Sequence, residues 1–312
     1  MNSELMVMYS CKVCGKPFES ESYKAHEVRF GWGDEFDYIH CPHCNTVYIK
    51  NIPDDLGRYY SSNYYSLRER NTKKENTFLR RTARKYLLKY RMDGENFIGK
   101  LLSSKEKDAF NWIEPGMMNF NSSILDVGCG TGRVVLKLAN SGFSNVQGID
   151  PFLNHDIVYH VGNQDVNVFK KDVKDMTGTY DVITLMSVME HFTDPHEAFR
   201  SLVKLMHKDS VLVMYLPVMS DFIWSHYGIT GFQFADVPRH LFIYSEKALR
   251  NLAAQYGLKM IMSKSYFYVK ALHDVYGNMA LDIQKMDRAK LIRELIDKND
   301  AGHVFAYFKL IE

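Results

Sequence analysis

Residues 123–132 read Ser-Ile-Leu-Asp-Val-Gly-Cys-Gly-Thr-Gly, and this stretch decides the fold. Ile124–Val127 is a short apolar run of the kind that forms a buried parallel strand. The glycines at 128, 130 and 132 permit a sharp strand-to-helix turn and let a ligand approach the backbone closely. The following Arg133-Val-Val-Leu-Lys-Leu-Ala-Asn has helical periodicity and is closed by Gly142. A second short strand, Val146–Ile149, ends in Asp150, twenty residues after Gly130. That is where a dinucleotide-type fold places a ribose-binding carboxylate. The glycine spacing is GxGxG rather than GxGxxG, and no Gly-Lys-Ser/Thr follows, which excludes a P-loop.

The form Asp-Val-Gly-Cys-Gly-Thr-Gly, with an acid ahead of the glycines, resembles class I S-adenosylmethionine (AdoMet)-dependent methyltransferases. The resemblance implies an α/β fold with a doubly wound, seven-stranded, mostly parallel Rossmann-like sheet. It also implies a cofactor set of Asp126, Gly128, Cys129, Gly130 and Gly132 in the loop, with Asp150 and Pro151 at the ribose. Residues 166–173 are expected to form a third strand ending in Asp172-Val173, placed for the adenine amino group. Tyr180–Ile183 starts a fourth strand leading to Met186, which would line the cofactor. Asp194-Pro195 opens a helix with Pro near its first turn. Ser210–Leu216, Leu258–Met262 and His303–Ile311 complete the expected strands.

Further out, Glu190-His191 and the stretch 217–244 follow strand ends, where open α/β sheets bind substrates. His191, His240 and Arg239 are the candidate catalytic residues. Each histidine is either a general base suited to neutral pH or a structural residue. Arg239 is either a clamp for a carboxylate or phosphate or the partner of Asp236. His226, Tyr227 and Tyr244 lie in the same insertion. A second insertion, 264–302, contains a charged amphipathic pattern over 284–298 and either covers substrate or mediates self-association.

Cys11-Lys-Val-Cys14 and Cys41-Pro-His-Cys44 are two CxxC units. Each tight turn presents two thiolates, and two such turns complete a tetrahedral four-cysteine metal site. No position is left for water, so the ion is read as structural zinc, with iron and a disulfide pairing as alternatives. His40 and His43 are candidate outer partners of the ligands. A β-hairpin is expected between the knuckles, with strands at 28–30 and 36–39 around the Gly31-Trp32-Gly33-Asp34 turn.

Between the two motif regions lie Gly57–Ser66, with four Tyr and three Ser, and an amphipathic helix expected over 76–91. Its apolar face is read as Phe78, Leu79, Thr82, Ala83, Tyr86, Leu87 and Tyr90. The aromatic stretch is either a linker or a lid over a ligand. Residues 68–91 carry ten Lys/Arg against Glu69 and Glu75, a local net charge of +8. The whole chain is only +2, so the remainder is −6: charge is segregated rather than absent. That segment is a solvated face or an attractor of phosphate-bearing substrates, nucleotide-linked small molecules or RNA.

These readings divide the chain into a zinc-binding module (1–55), an aromatic and basic helical connector (56–112) and an AdoMet-dependent methyltransferase domain (113–312). The near balance of 39 Lys+Arg and 37 Asp+Glu excludes a globally basic nucleic-acid binder. No apolar run approaches the ~20 residues a membrane helix needs, and no export signal opens the sequence, so a cytoplasmic location is expected. The arrangement of cysteine module, YYSSNYYS, basic helix and Val-Pro-Arg-His-Leu-Phe-Ile-Tyr-Ser (237–245) is similar to bacterial methyltransferases of polysaccharide and secondary-metabolite gene clusters. That resemblance implies methyl transfer to a small polar acceptor, a sugar or glycan precursor or another metabolite. An RNA methyltransferase gripping phosphates with the basic helix, and a non-catalytic AdoMet-binding scaffold, are the alternatives.

Overall fold

The structure, a computed structural model, describes residues 7–27, 30–60, 78–103, 110–219, 221, 224–225, 236–265 and 302–311. His226, Tyr227, the tyrosines at 64–65, the first part of the basic segment and the charged pattern at 284–298 lie outside them.

The central feature is a sheet built on β6 (Ile124–Val127), every residue of which is buried. β6 pairs in parallel with β10 (Tyr180–Met186) on one side and β7 (Val146–Ile149) on the other, and β7 pairs in parallel with β9 (Gln164–Phe169). Apolar side chains on both faces of β6 and β10 explain the central position, since such strands are stable only when covered twice. Among the described residues the sheet has eight strands, in the order β13-β14-β11-β10-β6-β7-β9-β8. The outer members are β11 (Met206–Pro217), β13 (Leu258–Ser265), β14 (His303–Leu310) and β8 (Ile157–Val161). This is the expected doubly wound, mostly parallel Rossmann-like sheet, with one strand added to the expected seven. The addition is β8, an antiparallel hairpin partner of β9 turned at Gly162-Asn163. Its burial alternates along the strand, with Val158 and His160 facing solvent, as on an edge.

The third strand therefore runs 164–169, not 166–173. Asp172 has left the strand and caps a short 3-10 turn, Val173–Asp175, by accepting from the Lys174 N–H. Helix α3 (Arg133–Asn140) follows the glycine loop and buries Val135, Leu136, Leu138 and Ala139. Helix α4 (Pro195–Lys204) is capped by Asp194, whose Oδ1 accepts from the His196 and Glu197 N–H groups.

Helix α1 (Phe78–Asp93) packs with α2 (Phe97–Ser103). The face it buries is Leu87, Leu88 and Met92, while Leu79 and Tyr86 are exposed. Of the expected face, Leu87 is buried and Thr82, Ala83 and Tyr90 are half-buried, while Leu79 and Tyr86 are exposed and Leu88 and Met92 join the buried side.

The chain forms two compact units. One combines residues 60–186, 200–213 and 307–312; the other combines 1–59, 187–199 and 214–306. In the second, β1 (Val7–Ser10) pairs with β2 (Pro17–Ser20). A four-stranded sheet runs β12-β5-β4-β3, with β3 at Tyr23–His26, β4 at Glu35–Cys41, β5 at Thr46–Ile49 and β12 at Phe242–Ile243. The hairpin between the cysteine pairs is present as β3 and β4; of the expected strand at 28–30, residues 28 and 29 lie outside the described residues. The Glu27 carboxylate accepts from the Phe30 and Trp32 N–H groups, and its backbone bonds Asp34 and Gly33. Gly31 and Gly33 are both at positive φ. The fourth strand comes from far along the sequence: Phe242 and Ile243 pair antiparallel with Tyr48 and Val47. Helix α5 (Glu246–Ala254) follows, capped by Ser245.

Candidate functional site

Four adjacent parallel strands, β10, β6, β7 and β9, end along one edge of the sheet. The glycine loop follows β6, Asp150 follows β7, Asp172 lies just beyond β9 and Met186 ends β10. Parallel pairing thus brings the expected cofactor residues to one carboxyl edge, where open sheets bind ligands. Gly128, Gly130 and Gly132 all have positive φ, at 66°, 54° and 82°. At Gly132 a Cβ would also lie 2.8 Å from Val168 Cγ2, so both backbone and space call for glycine.

Asp150 is the knot of this edge. Its Oδ2 accepts from the Gly130 N–H and its Oδ1 from the Phe152 N–H, each at 2.9 Å. Burial raises its pKa, and these two donors oppose the shift. Each carboxylate oxygen has a second lone pair available to a ligand. Cys129 is buried, with its N–H on Ile149 O and its sulfur packed where a Cβ on Gly148 would stand. The Tyr159 hydroxyl donates to Thr131 O at 2.8 Å. Asp126 accepts from the Thr184 hydroxyl at 2.6 Å and is buried beneath the loop, where desolvation pushes its carboxyl up to about 7. Pro151 and Phe152 are exposed, and Phe152 stacks on Tyr60, with ring centroids 4.7 Å apart and planes 10° from parallel. Sequence reasoning named neither ring as a pair. Val173 is buried, and Asp172 and Met186 are half-buried. The set fits AdoMet: a glycine-lined backbone edge, a carboxylate fixed to it with acceptor capacity to spare, and apolar rings beside it.

The second compact unit holds the cysteines. Cys11 and Cys44 sulfurs lie 3.7 Å apart, Cys14 and Cys41 sulfurs 3.8 Å, and all four Sγ atoms lie within 4.8 Å of one another. A tetrahedral ion with metal–sulfur bonds of about 2.3 Å has sulfur–sulfur edges of about 3.8 Å. The four are unbridged by disulfide. Val13 and Cys14 N–H groups point at Cys11 Sγ, each at 3.4 Å. The crowded thiols perturb one another. Hydrogen bonding from Cys11 pulls the Cys44 thiol down to about 5, and burial pushes Cys41 up to about 11. A divalent cation would relieve this competition by taking all four as thiolates. His40 Nε2 bonds Asn45 Oδ1 and His43 Nε2 donates to Pro17 O. The Ser245 hydroxyl, which caps α5, also donates to Cys44 O at 2.6 Å.

In the same unit, Glu190, His191 and His240 converge. Glu190 is fully buried. Its Oε1 lies 3.9 Å from His240 Nε2, and the rings of His191 and His240 are 4.9 Å apart. His191 Nδ1 lies 2.8 Å from Arg239 O. A carbonyl only accepts, so Nδ1 carries the proton and Nε2 keeps its lone pair. Burial pushes the Glu190 carboxyl up to about 8. For Arg239, of the two arrangements the sequence allowed, the structure has the ion pair. Its guanidinium is fully buried between Asp236 (2.5 Å) and Glu27 (3.3 Å), bonds Tyr59 O and lies over the Phe30 ring. A clamp for an external anion is thereby excluded, because a guanidinium so enclosed presents nothing to a ligand. Glu27 was invisible as a partner, since no local pattern links it to residue 239. Within the insertion, Trp224 packs on His40 and Tyr23, and Asn45 donates to Asp221.

Several known proteins are similar to parts of this chain. The tRNA U34 carboxymethyltransferase of Campylobacter fetus is 24% identical over 152 residues, covering 46% of this chain and 52% of that protein. The mitochondrial ubiquinone biosynthesis O-methyltransferase of Saccharomyces cerevisiae is 38% identical over 88 residues, covering 25% of this chain and 28% of that protein. This chain thus spans about half, or less, of the length of these relatives. Among solved structures, a complex of the Haloferax volcanii Trm112 methyltransferase activator with a methyltransferase superposes with a TM-score of 0.44 at 13% identity, over 62% of this chain and 84% of that one. The family described as methyltransferase domain matches residues 81–263, more than half of the sequence and the whole glycine-loop edge; the chain belongs to that family.

Proposed function

We propose that this protein is an AdoMet-dependent methyltransferase that methylates a small polar acceptor, a sugar or glycan precursor or another metabolite. The observation that carries the first part is Asp150, buried at the end of β7 and hydrogen-bonded to the Gly130 N–H, with lone pairs left for the ribose hydroxyls. AdoMet, when bound, supplies an electrophilic methyl group on a sulfonium. Gly128–Gly132 give its amino-acid end a close backbone edge, and Asp172, Val173 and Met186 flank its base. The protein's contribution is mainly to orient the acceptor nucleophile and keep it from water. Where the acceptor must lose a proton, His191 or His240 takes it. His191 suits the task because Arg239 O fixes its tautomer and leaves Nε2 as the acceptor. The four cysteines hold a structural zinc ion, which the 3.7–3.8 Å sulfur spacing supports.

Calorimetric titration of AdoMet into wild type and Asp150→Ala tests the cofactor reading. Removing the acceptor for two hydroxyls is expected to weaken binding by roughly tenfold or more. Equal affinity in the two proteins would remove the ribose assignment.

One relative acts on tRNA by its name, and the basic segment 68–91 keeps an RNA acceptor as the second reading. Less support for it comes from the residues themselves. Lys24 of the cysteine module pairs with Glu35 and Asp37, and the Arg81 guanidinium lies against Gly162.

A further inference from the structure

We infer that Glu190, His191 and His240 form a second metal site, distinct from the four cysteines, which holds one divalent transition-metal ion through a carboxylate oxygen and two imidazole nitrogens.

Three observations carry this. First, one ligand atom from each residue lies within 4.8 Å of the others. The 3.9 Å between Glu190 Oε1 and His240 Nε2 is too long for a hydrogen bond. It is close to the ~3–4 Å that separates two ligands each about 2.0–2.2 Å from a shared ion. Second, Glu190 is fully buried, and among the described residues neither of its carboxylate oxygens has a hydrogen-bond partner. A buried carboxyl without a hydrogen-bond partner is costly even when protonated, so buried carboxyls are hydrogen-bonded, ion-paired or metal-bound. The nearby cation does not compensate it: Arg239 is committed to Asp236 and Glu27. Third, His191 donates Nδ1–H to Arg239 O. A metal-binding histidine commonly donates its other ring nitrogen to a carbonyl, which fixes the tautomer and turns the lone pair to the ion. The buried Arg239–Asp236–Glu27 cluster holds the backbone that supplies both this carbonyl and the adjacent His240.

The donor set fixes the class of ion. Two imidazoles and one carboxylate, with no sulfur, suit zinc, cobalt, iron or manganese in the divalent state and disfavour calcium and magnesium. Three protein ligands fill fewer positions than such ions take, so at least one is left for water or for an oxygen of a bound acceptor. His191 and His240 are half-buried rather than closed off, which leaves access on the imidazole side. With the ion bound, both imidazoles are committed to it and neither takes the acceptor's proton; the inference does not rest on methyl transfer, and its readout is metal uptake.

Cobalt(II) added to full-length protein carrying one equivalent of zinc, enough for the four thiolates only, tests it, because ligand type is visible in the absorption spectrum. The expected result is uptake of one equivalent with weak visible bands and no sulfur-to-metal charge transfer. Affinity should fall about tenfold or more in the near-isosteric Glu190→Gln and in His240→Ala. Three results would overturn it: no cobalt uptake by folded wild type, charge-transfer bands showing cobalt at the thiolates alone, or uptake unchanged in Glu190→Gln. Wild type alone decides the first two, so a variant that fails to fold does not blunt the test.

Discussion

Asp126 and Gly132 show how single residues of the cofactor edge are held under opposing demands. The Asp126 carboxyl is buried and pushed up to about 7, although the Thr184 hydroxyl favours its ionised form. An unfolded chain loses that proton near pH 4. Between roughly pH 4 and pH 7 the native protein therefore binds the extra proton, and its stability falls as pH rises. Asp126→Asn keeps an acceptor for Thr184 and removes the titration. Without AdoMet, the variant should match wild type near pH 4 and exceed it at pH 8 by on the order of 2–4 kcal/mol. Urea midpoints at the two pH values measure this, and a wild type that loses nothing relative to the variant would refute it. Gly132→Ala combines an unfavourable φ with a contact on Val168, whereas Gly178 has a similar φ of 84° and nothing within 4 Å. Melting both alanine variants separates the two effects. Gly178→Ala should cost about 1 kcal/mol and Gly132→Ala about 2–3 kcal/mol. Equal costs would show that the loop yields at Val168. The glycine pattern and Asp150 were legible in the sequence because backbone demands of this kind leave few residue choices. Glu27 and the Tyr60–Phe152 stack were not, because a tertiary contact leaves no local trace.

At the scale of elements, β6, β7 and β14 fall within a residue of where the sequence puts them. Central strands are short apolar runs bounded by glycine or an acid, so their ends are sharp. The misreadings lie where side-chain hydrogen bonds or a choice of packing faces decide. Asp172 ended β9 early, and α1 buries Leu88 and Met92 beside the expected Leu87 while leaving Leu79 and Tyr86 exposed. The β8 strand had a signal that sequence reasoning passed over: Gly162-Asn163 between two alternating runs is a two-residue hairpin turn. The cysteine module also depends on a distant element. β5 pairs with β12, Ser245 bonds Cys44 O, and Tyr38 donates to His240 O. Metal-binding energy in such a module is folding energy. Stripping the proposed zinc with a strong chelator should therefore speed amide exchange at residues 35–49 and also at 241–249, while 124–149 keeps its protection. Loss confined to the cysteine turns would show that the sheet stands without its ion.

The whole molecule is nearly neutral, yet its charge is uneven, and that decides between acceptor classes. A protein gripping an RNA acceptor through several phosphates releases counterions, so log K falls with log salt in proportion to the contacts made. Six to ten contacts would cost roughly a thousandfold or more between 50 and 200 mM salt. The sequence concentrates +8 over 68–91 within a +2 chain, which is the footprint such binding needs. The described part of that segment is partly engaged already: Arg81 lies against Gly162 and Lys85 over the Phe120 ring. In the cysteine module Lys24 sits in a pair of acid contacts. A small phosphate-bearing acceptor needs only one or two cations, and its binding is weakly screened. Binding of bulk tRNA, followed by fluorescence anisotropy, should accordingly be weak and change by less than about tenfold across that salt range. A steep slope that flattens when Arg84, Lys85 and Lys89 are replaced by glutamine would instead assign the segment to nucleic acid and make RNA the acceptor.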